Sequence, residues 1–203
     1  MFTVEKSGQG FGASVRGIDL RDERSAETVT ALREAWLEHH VLALPEQDLS
    51  DDDLERFTQY FGGFGHDPFI APIAGRQHVI AISRRADEKA PLFAENWHSD
   101  WSFQAQPPAG TCLYGKVIPP VGGDTLFANQ HAAFEALPAD KQAFYQSLTA
   151  IHSAAGAYAP EGTYGETDQA TDRSMTIRPS TEARATQTHP LVRAHPETGR
   201  LGF

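Results

Sequence analysis

The sequence predicts a mainly β protein with flanking helices, an α+β fold of the sandwich or barrel type. Short apolar runs separated by Pro and Gly turns are typical of strands, and only three longer segments have helical periodicity. The chain has 203 residues, of which 40% are hydrophobic and 22% charged. This composition is ordinary for a folded protein, and the length predicts one domain covering residues 1–203.

Helices are predicted where apolar side chains recur every three or four residues. Residues 25–40 form the first of these segments and begin with a serine suited to cap a helix. Ser50 and Asp53 form a variant capping box, which indicates a second helix that ends at a glycine pair. Residues 129–148 form the third helical segment, interrupted by a proline.

Strands are predicted in the other apolar runs, at residues 2–4, 14–18, 41–44, 78–83, 111–117, 124–128, 150–153, 189–194 and 200–203. The last two runs are expected to form a hairpin across a turn at 196–199. Residues 154–188 are rich in Thr, Ala and Gly and poor in apolar side chains. Loops of this length are usually functional or disordered, so this segment is predicted to be a mobile lid loop.

Charge and cysteine content exclude several classes of partner. The chain has 17 basic and 27 acidic residues and a net charge of −10, which argues against nucleic acid as a partner. It has no apolar run of the roughly 18 residues that a membrane span needs, so no membrane partner is expected. Cys112 is the single cysteine, which excludes an intrachain disulfide and indicates a reducing, cytoplasmic location.

The segment with the most chemical information is 96–101, where His98 and Asp100 stand two residues apart. In an extended strand these two side chains would project from the same face. They would supply two thirds of the 2-His-1-carboxylate triad that binds non-haem Fe(II). The spacing alone is common, since chance gives about 0.6 such pairs in a chain of this composition. A surface histidine beside an aspartate in a turn is therefore the alternative interpretation.

A second group of polar and turn-forming residues follows at 107–110 and 122–126. The glycine pair at 122–123 allows a tight turn, after which Thr125 can direct its hydroxyl inward from a strand. A hydroxyl together with a basic residue binds carboxylates well. An ordinary hairpin turn followed by an ordinary strand threonine is equally consistent with these residues.

Four runs, at 97–100, 107–110, 122–126 and 189–200, occur in this order along the chain. Together they resemble the taurine dioxygenase / 2,4-dichlorophenoxyacetate dioxygenase family of Fe(II)- and 2-oxoglutarate-dependent oxygenases. The resemblance covers nearly the whole chain, from about residues 10–13 onward. It implies a double-stranded β-helix (jelly-roll) core and an oxidoreductase that uses Fe(II), 2-oxoglutarate and O₂.

The resemblance also implies roles for individual residues. His98 and Asp100 match the first two iron ligands of the family and are the candidate catalytic and metal-binding residues. Thr125 matches the hydroxyl that binds the distal carboxylate of 2-oxoglutarate. Residues 66–70 fall where family members contact substrate, so His66 is a candidate substrate contact. A solvated loop histidine is the alternative for His66.

The implied reaction hydroxylates a small, anionic organic molecule and releases succinate and CO₂ from 2-oxoglutarate. Neither the stretch 65–70 nor Ala94, which replaces an amide residue, matches the pattern of the taurine enzyme. Taurine itself is therefore not expected as the substrate. Family members commonly associate, which implies a homo-oligomer.

Two family elements have no counterpart in this sequence. The second ligand histidine and the arginine that pairs with the distal carboxylate are expected beyond Phe203, so we expect a jelly-roll that is incomplete at the C-terminus. His152 has the best internal spacing to replace the histidine, but the resemblance gives it no ligand role. His189 and His195 stand beside prolines, where a structural hydrogen-bonding role is expected.

Two other classes of function stay open at this point. The first is a non-catalytic, cupin-like protein that binds a small molecule or a metal with an incomplete triad. The second is a hydrolase that uses the same histidine and aspartate on Zn²⁺.

Overall fold

The computed structural model describes residues 2–169 and 172–203. They form two compact units, a division that the chain length did not predict. The first unit contains Met1–Gly63, Cys112–Leu148 and Leu191–Phe203, and the second contains Phe64–Thr111 and Thr149–Pro190. Within the described ranges, no helix is long and apolar enough to cross a membrane.

A three-stranded sheet and a long helix begin the first unit. Strand β1 (Thr3–Lys6) pairs antiparallel with β2 (Ala13–Arg16). Helix α1 (Ala26–His39) follows, and β3 (Leu42–Ala43) then pairs parallel with β2. Strand β3 is shorter than the predicted run 41–44; Leu42 is half-buried and Ala43 is exposed.

The two N-terminal helices form as their capping residues predict. The Ser25 side chain accepts a hydrogen bond from the backbone N–H of Thr28, at 3.2 Å, and Leu32 of α1 is fully buried. Helix α2 (Asp51–Gln59) begins at the predicted capping box of Ser50 and Asp53. The core that both helices cover consists of Val15, Leu20, Leu32, Leu49 and Phe57.

The predicted third helical segment is two helices, α3 (Gln130–Glu135) and α4 (Ala139–Gln146), separated at the proline. In the second unit, β4 (Thr149–Ser153) pairs antiparallel with β5 (Thr186–Pro190). The first unit ends with a hairpin of β6 (Arg193–Ala194) and β7 (Leu201–Gly202), which confirms the predicted turn. The predicted strand 189–194 is therefore divided between β5 and β6.

Three predicted strands are absent from the described residues. Ile80, in the run 78–83, makes only an isolated bridge with Pro72, and residues 111–128 have no regular secondary structure. Val117 and Val121 are 92% and 87% exposed. A strand needs a neighbour for its backbone N–H and C=O groups, and apolar patterning alone does not supply one. Helices therefore account for more of the described residues than strands do, although the mixed α and β character is confirmed.

The segment 154–188 contains more structure than its composition predicts. It includes the short helices α5 (Ala155–Tyr158) and α6 (Glu166–Gln169) and a 3₁₀ turn at Thr181–Arg184. The expectation of few apolar anchors is wrong, because several of its side chains are buried in two small cores: Ala154, Ala159, Tyr164, Met175, Ile177 and Ala183. Residues 170–171 of this segment lie outside the described residues, and its role as a lid stays a prediction.

The capping box of α2 gives a testable pH dependence. Hydrogen bonds from Ser50 and Arg56 lower the pKa of Asp53 to about 2. Because the folded-state pKa lies below the ordinary value, this carboxylate stabilises the fold above about pH 4 and loses that effect as the pH falls toward 2. We expect the free energy of unfolding to fall less steeply over this range in Asp53→Asn than in the wild type.

Urea denaturation at a series of pH values measures this difference. Ser50→Ala removes the hydrogen bond that lowers the pKa of Asp53 most, so the fall in stability should be smaller in that variant and should end at higher pH. Equal slopes for the wild type and Asp53→Asn would contradict the assignment.

Candidate metal centre

The segment that carries His98 and Asp100 lies in the second unit and is not the predicted extended strand. The chain turns at residues 100–103, and the described residues of the motif belong to no sheet. Two non-glycine residues near its ends, Ala94 and Trp101, have positive φ angles of 55° and 47°. Such conformations cost free energy and persist only when the surrounding structure holds them.

The structure brings the imidazole of His98 and the carboxylate of Asp100 together. His98 Nε2 lies 3.1 Å from Asp100 Oδ1, and the two side chains are 50% and 47% exposed. The two predicted ligands therefore converge, and the turn after Asp100 produces this convergence in place of the expected strand. A half-exposed pair of this kind is accessible to a metal ion and to small ligands.

The hydrogen bond at His98 Nδ1 determines whether Nε2 directs a proton or a lone pair toward Asp100. His98 Nδ1 lies 2.7 Å from the backbone carbonyl oxygen of Asn96. A carbonyl oxygen only accepts hydrogen bonds, so Nδ1 carries the proton and donates. In the neutral ring, Nε2 then directs its lone pair toward the Asp100 carboxylate.

Two electron-rich atoms 3.1 Å apart repel each other unless they share a cation. A proton on Nε2 or a divalent metal ion removes this repulsion. Metal-binding histidines usually have their second nitrogen fixed by a carbonyl or carboxylate in this manner. The donor set of His98 and Asp100 therefore fits a divalent metal such as Fe(II).

Asp100 has a further partner that the sequence did not indicate. The Thr111 hydroxyl donates a hydrogen bond to Asp100 Oδ2 at 2.7 Å. Thr111 had been predicted only as the first residue of a strand. The sequence gives little indication of this role, since Thr111 is simply the residue that follows the Pro-Pro-Ala-Gly turn at 107–110.

Asp67, in the stretch 66–70, holds the turn after Asp100 through hydrogen bonds of its carboxylate. Asp67 Oδ1 accepts hydrogen bonds from the backbone N–H groups of Phe69 and Ile70, at 2.7 and 2.9 Å. Asp67 Oδ2 accepts a hydrogen bond from Trp101 Nε1 at 3.2 Å. This single carboxylate therefore connects the stretch where a substrate contact was predicted with the residue that follows Asp100.

His66 contacts the same turn through its backbone. Its carbonyl oxygen accepts a hydrogen bond from Gln104 Nε2 at 2.8 Å, while its side chain is exposed. The exposure is compatible with both interpretations of His66, a substrate contact and a solvated loop histidine.

His189 has the structural role expected from its position. It is buried, and its Nε2 donates to the carbonyl oxygens of Ser102 and Gln104, both at 3.0 Å. The ring of His152 packs edge-on against it, with 5.3 Å between ring centroids. His189 thus fixes the backbone just after the pair of His98 and Asp100.

Thr125 belongs to the first unit. It follows the predicted tight turn, in which Gly122 and Gly123 have φ angles of 79° and 76°. The strand 124–128 does not form, and the Thr125 side chain is exposed. Its binding role stays a prediction.

Over residues 2–169 and 172–203, no group of three or more His, Cys, Asp or Glu side chains could hold a metal ion. Within these ranges, the candidate ligands at this site are therefore two side chains, those of His98 and Asp100. The third protein ligand expected from the resemblance stays a prediction.

The imidazole of His98 and the carboxylate of Asp100, each with a hydrogen bond on its outer atom, form a donor pair of the kind found in metal-dependent enzymes. Comparison with known proteins specifies the family. The family model described as "Taurine catabolism dioxygenase TauD, TfdA family" matches residues 3–203. The chain belongs to this family.

Individual relatives agree with this assignment. An "Alkylsulfatase" of Acinetobacter baylyi is 33% identical over 191 residues, which are 94% of this chain and 58% of that protein. The "(S)-phenoxypropionate/alpha-ketoglutarate-dioxygenase" of Delftia acidovorans is 32% identical over 97% of this chain and 68% of its own length.

A solved taurine dioxygenase from Burkholderia xenovorans superimposes with a TM-score of 0.73 and 28% identity. The match covers 99% of this chain and 61% of that structure. The chain therefore has the fold of the matched part of that enzyme, and it spans about three fifths of the length of several proteins that it matches.

The hydrogen bond between Asp67 and Trp101 can be removed selectively. In Asp67→Asn, the remaining oxygen can still accept from the backbone of Phe69 and Ile70, but the new amide group faces the Trp101 N–H as a second donor. We expect the Trp101 indole ¹H–¹⁵N resonance to move upfield and the protein to lose about 1–3 kcal/mol of stability.

Two-dimensional NMR and urea denaturation measure these effects. Trp36→Phe and Trp97→Phe together assign the three indole signals. Because Trp97 is 70% exposed, Trp97→Phe should leave the Trp101 resonance unchanged. An unshifted Trp101 signal in Asp67→Asn would show that the hydrogen bond is not formed in solution.

Proposed function

We propose that this protein is an Fe(II)- and 2-oxoglutarate-dependent dioxygenase that hydroxylates a small anionic organic molecule. The observation that carries the proposal is the approach of His98 Nε2 to Asp100 Oδ1, at 3.1 Å, with His98 Nδ1 bonded to the Asn96 carbonyl. Membership of the TauD, TfdA family supports Fe(II) as the metal and 2-oxoglutarate as the cosubstrate.

His98 and Asp100 would hold the metal through Nε2 and Oδ1. When bound, Fe(II) would supply the oxidative chemistry in which O₂, 2-oxoglutarate and the substrate are converted to succinate, CO₂ and the hydroxylated substrate. The Asn96 carbonyl keeps the His98 ring in one tautomer and one orientation, so the ligand lone pair is available without rearrangement. Asp100 neutralises part of the positive charge of the metal.

The remaining assignments rest on the family resemblance and on local geometry. Thr125 binds the distal carboxylate of 2-oxoglutarate through its hydroxyl, which the preceding glycine turn leaves exposed. His66 contacts the substrate with its exposed ring, while Gln104 and the 66–70 stretch hold its backbone. Residues 154–188 act as a lid that excludes water during the reaction.

A small anion is the favoured substrate class. The Delftia acidovorans relative is named for (S)-phenoxypropionate, which is an anionic carboxylate. The fold that supports the site is a jelly-roll, in agreement with the TM-score of 0.73 to a taurine dioxygenase. A homo-oligomer and a cytoplasmic location complete the proposal; the first rests on the family and the second on the single cysteine.

The second candidate is a non-catalytic protein that binds a metal or a small molecule at the same place. It is favoured by the observation that, across the described ranges, only two ligand side chains come together at this site. Turnover separates the two candidates, because binding alone gives no succinate.

The metal-ligand assignment of His98 is tested by replacing it with alanine. We expect anaerobic Fe(II) and 2-oxoglutarate to give a visible charge-transfer band with the wild type and none with His98→Ala. Succinate release coupled to O₂ uptake should fall by more than about 100-fold, since loss of a ligand exceeds the effect of an outer partner.

His78→Ala is the matched control, because His78 is an exposed histidine of the same unit that stacks on Phe64. It should keep both signals. A band that persists in His98→Ala would overturn the ligand assignment, and a band without succinate in the wild type would favour the non-catalytic candidate.

The role of Thr125 is tested by Thr125→Val, which removes the hydroxyl and keeps the shape. A hydrogen bond to a charged group is worth about 1.5 kcal/mol, so we expect the KM for 2-oxoglutarate to rise about tenfold. Thr125→Ser should restore the wild-type value. Steady-state kinetics over a range of 2-oxoglutarate concentrations measures the change, and an unchanged KM would exclude Thr125 from the binding site.

A further inference from the structure

We propose that Thr111 is the positioning residue of the metal centre. Its hydroxyl holds Asp100 Oδ2, so that Asp100 offers the other oxygen, Oδ1, to the metal beside His98 Nε2. This inference rests on the proposed function, because it assumes that His98 and Asp100 bind the metal.

The hydrogen bond distinguishes the two oxygens of one carboxylate. Thr111 Oγ1 lies 2.7 Å from Asp100 Oδ2, which is the length of a charge-assisted O–H···O⁻ bond. Asp100 Oδ1 lies 3.1 Å from His98 Nε2 on its other side. The carboxylate is thereby assigned one supporting oxygen and one ligand oxygen.

Asp100 needs such a partner because it is half-exposed. The terminal torsion of an aspartate is broad and roughly two-fold, so an unsupported carboxylate would sample several orientations. A β-branched threonine is stiff about χ1 and loses little freedom when it donates the bond. Thr111 therefore lowers the entropic cost of presenting Oδ1 to a metal.

The loop that joins the two residues is fixed near its start. Asp100 and Thr111 are 11 residues apart. After Asp100, the buried His189 holds the carbonyls of Ser102 and Gln104. The Phe103 side chain between them packs against the Phe69 ring, with 5.7 Å between ring centroids.

The loop is also fixed on its return to Thr111. Residues 107–108 are two prolines, whose rings fix φ. Pro108 lies beside Gly65, where a side-chain carbon on the glycine would be at ordinary van der Waals distance, 3.4 Å, from Pro108 Cγ. Because the loop has contacts both after Asp100 and before Thr111, the Thr111 hydroxyl has a defined position, as a supporting residue of a metal site requires.

Thr111→Val tests the proposal, because valine replaces the hydroxyl with a methyl group and keeps the shape. Co(II), whose visible absorption reports the ligand environment, is titrated into the full chain under anaerobic conditions. We expect the Kd for Co(II) to rise about 10–100-fold in Thr111→Val, the effect typical of losing an outer partner of a metal ligand. Thr111→Ser should restore the wild-type Kd and the wild-type Co(II) spectrum.

Thr149→Val is the matched control. Thr149 is an exposed threonine of the same unit and lies in β4, outside the proposed lid. We expect Thr149→Val to keep the wild-type Kd. Thermal unfolding of each metal-free variant, followed by circular dichroism, separates a loss of metal affinity from a loss of fold.

The outcomes distinguish this inference from the proposed function. Equal Kd values for the wild type and Thr111→Val, or equal weakening in Thr149→Val, would overturn the role of Thr111. A wild type that does not bind Co(II) would overturn both the role of Thr111 and the metal centre. Weaker Co(II) binding in Thr111→Val, with no turnover of 2-oxoglutarate by the wild type, would support the role of Thr111 and overturn the dioxygenase.

Discussion

The backbone that carries His98 and Asp100 belongs to no sheet, so side chains hold it in place of the hydrogen bonds that neighbouring strands would supply. Asp67 accepts the Trp101 indole N–H, and His189 donates to two carbonyls of the same turn. Tyr164 further accepts a hydrogen bond from the backbone N–H of Ala94 at 2.9 Å. These contacts stabilise the positive φ angles of Ala94 and Trp101 and, through them, the turn that brings His98 to Asp100.

One hydrogen bond inside this segment determines its chemistry. With Nδ1 committed to the Asn96 carbonyl, the His98 ring presents only Nε2 to Asp100. Thr111 occupies the other oxygen of that carboxylate. One nitrogen lone pair and one oxygen lone pair are thus held side by side, which is how an irregular loop can preorganise two candidate ligands without a strand.

Elements stabilised by local interactions could be predicted from the sequence, whereas strands, which need distant partners, could be predicted only in part. The caps of α1 and α2 link residues three apart, so a serine followed by suitable partners was sufficient to predict both helices. The strands 78–83 and 111–117 were predicted from apolar runs alone, and neither has a partner ladder in the described residues. Pairing depends on a second segment, which the run itself does not specify.

Four motifs in order along the chain were enough to predict the family, and a spacing of two residues was enough to select His98 and Asp100. The hydrogen-bond partner of His98 Nδ1 and the contacts of Thr111, Asp67 and His189 became visible only in the folded chain. The partners of Thr111, Asp67 and His189 lie far from them in sequence. Asp100 and Thr111 are 11 residues apart, Asp67 and Trp101 are 34, and Ser102 and His189 are 87. No local pattern encodes contacts over such distances, since they form only when packed segments bring these side chains together.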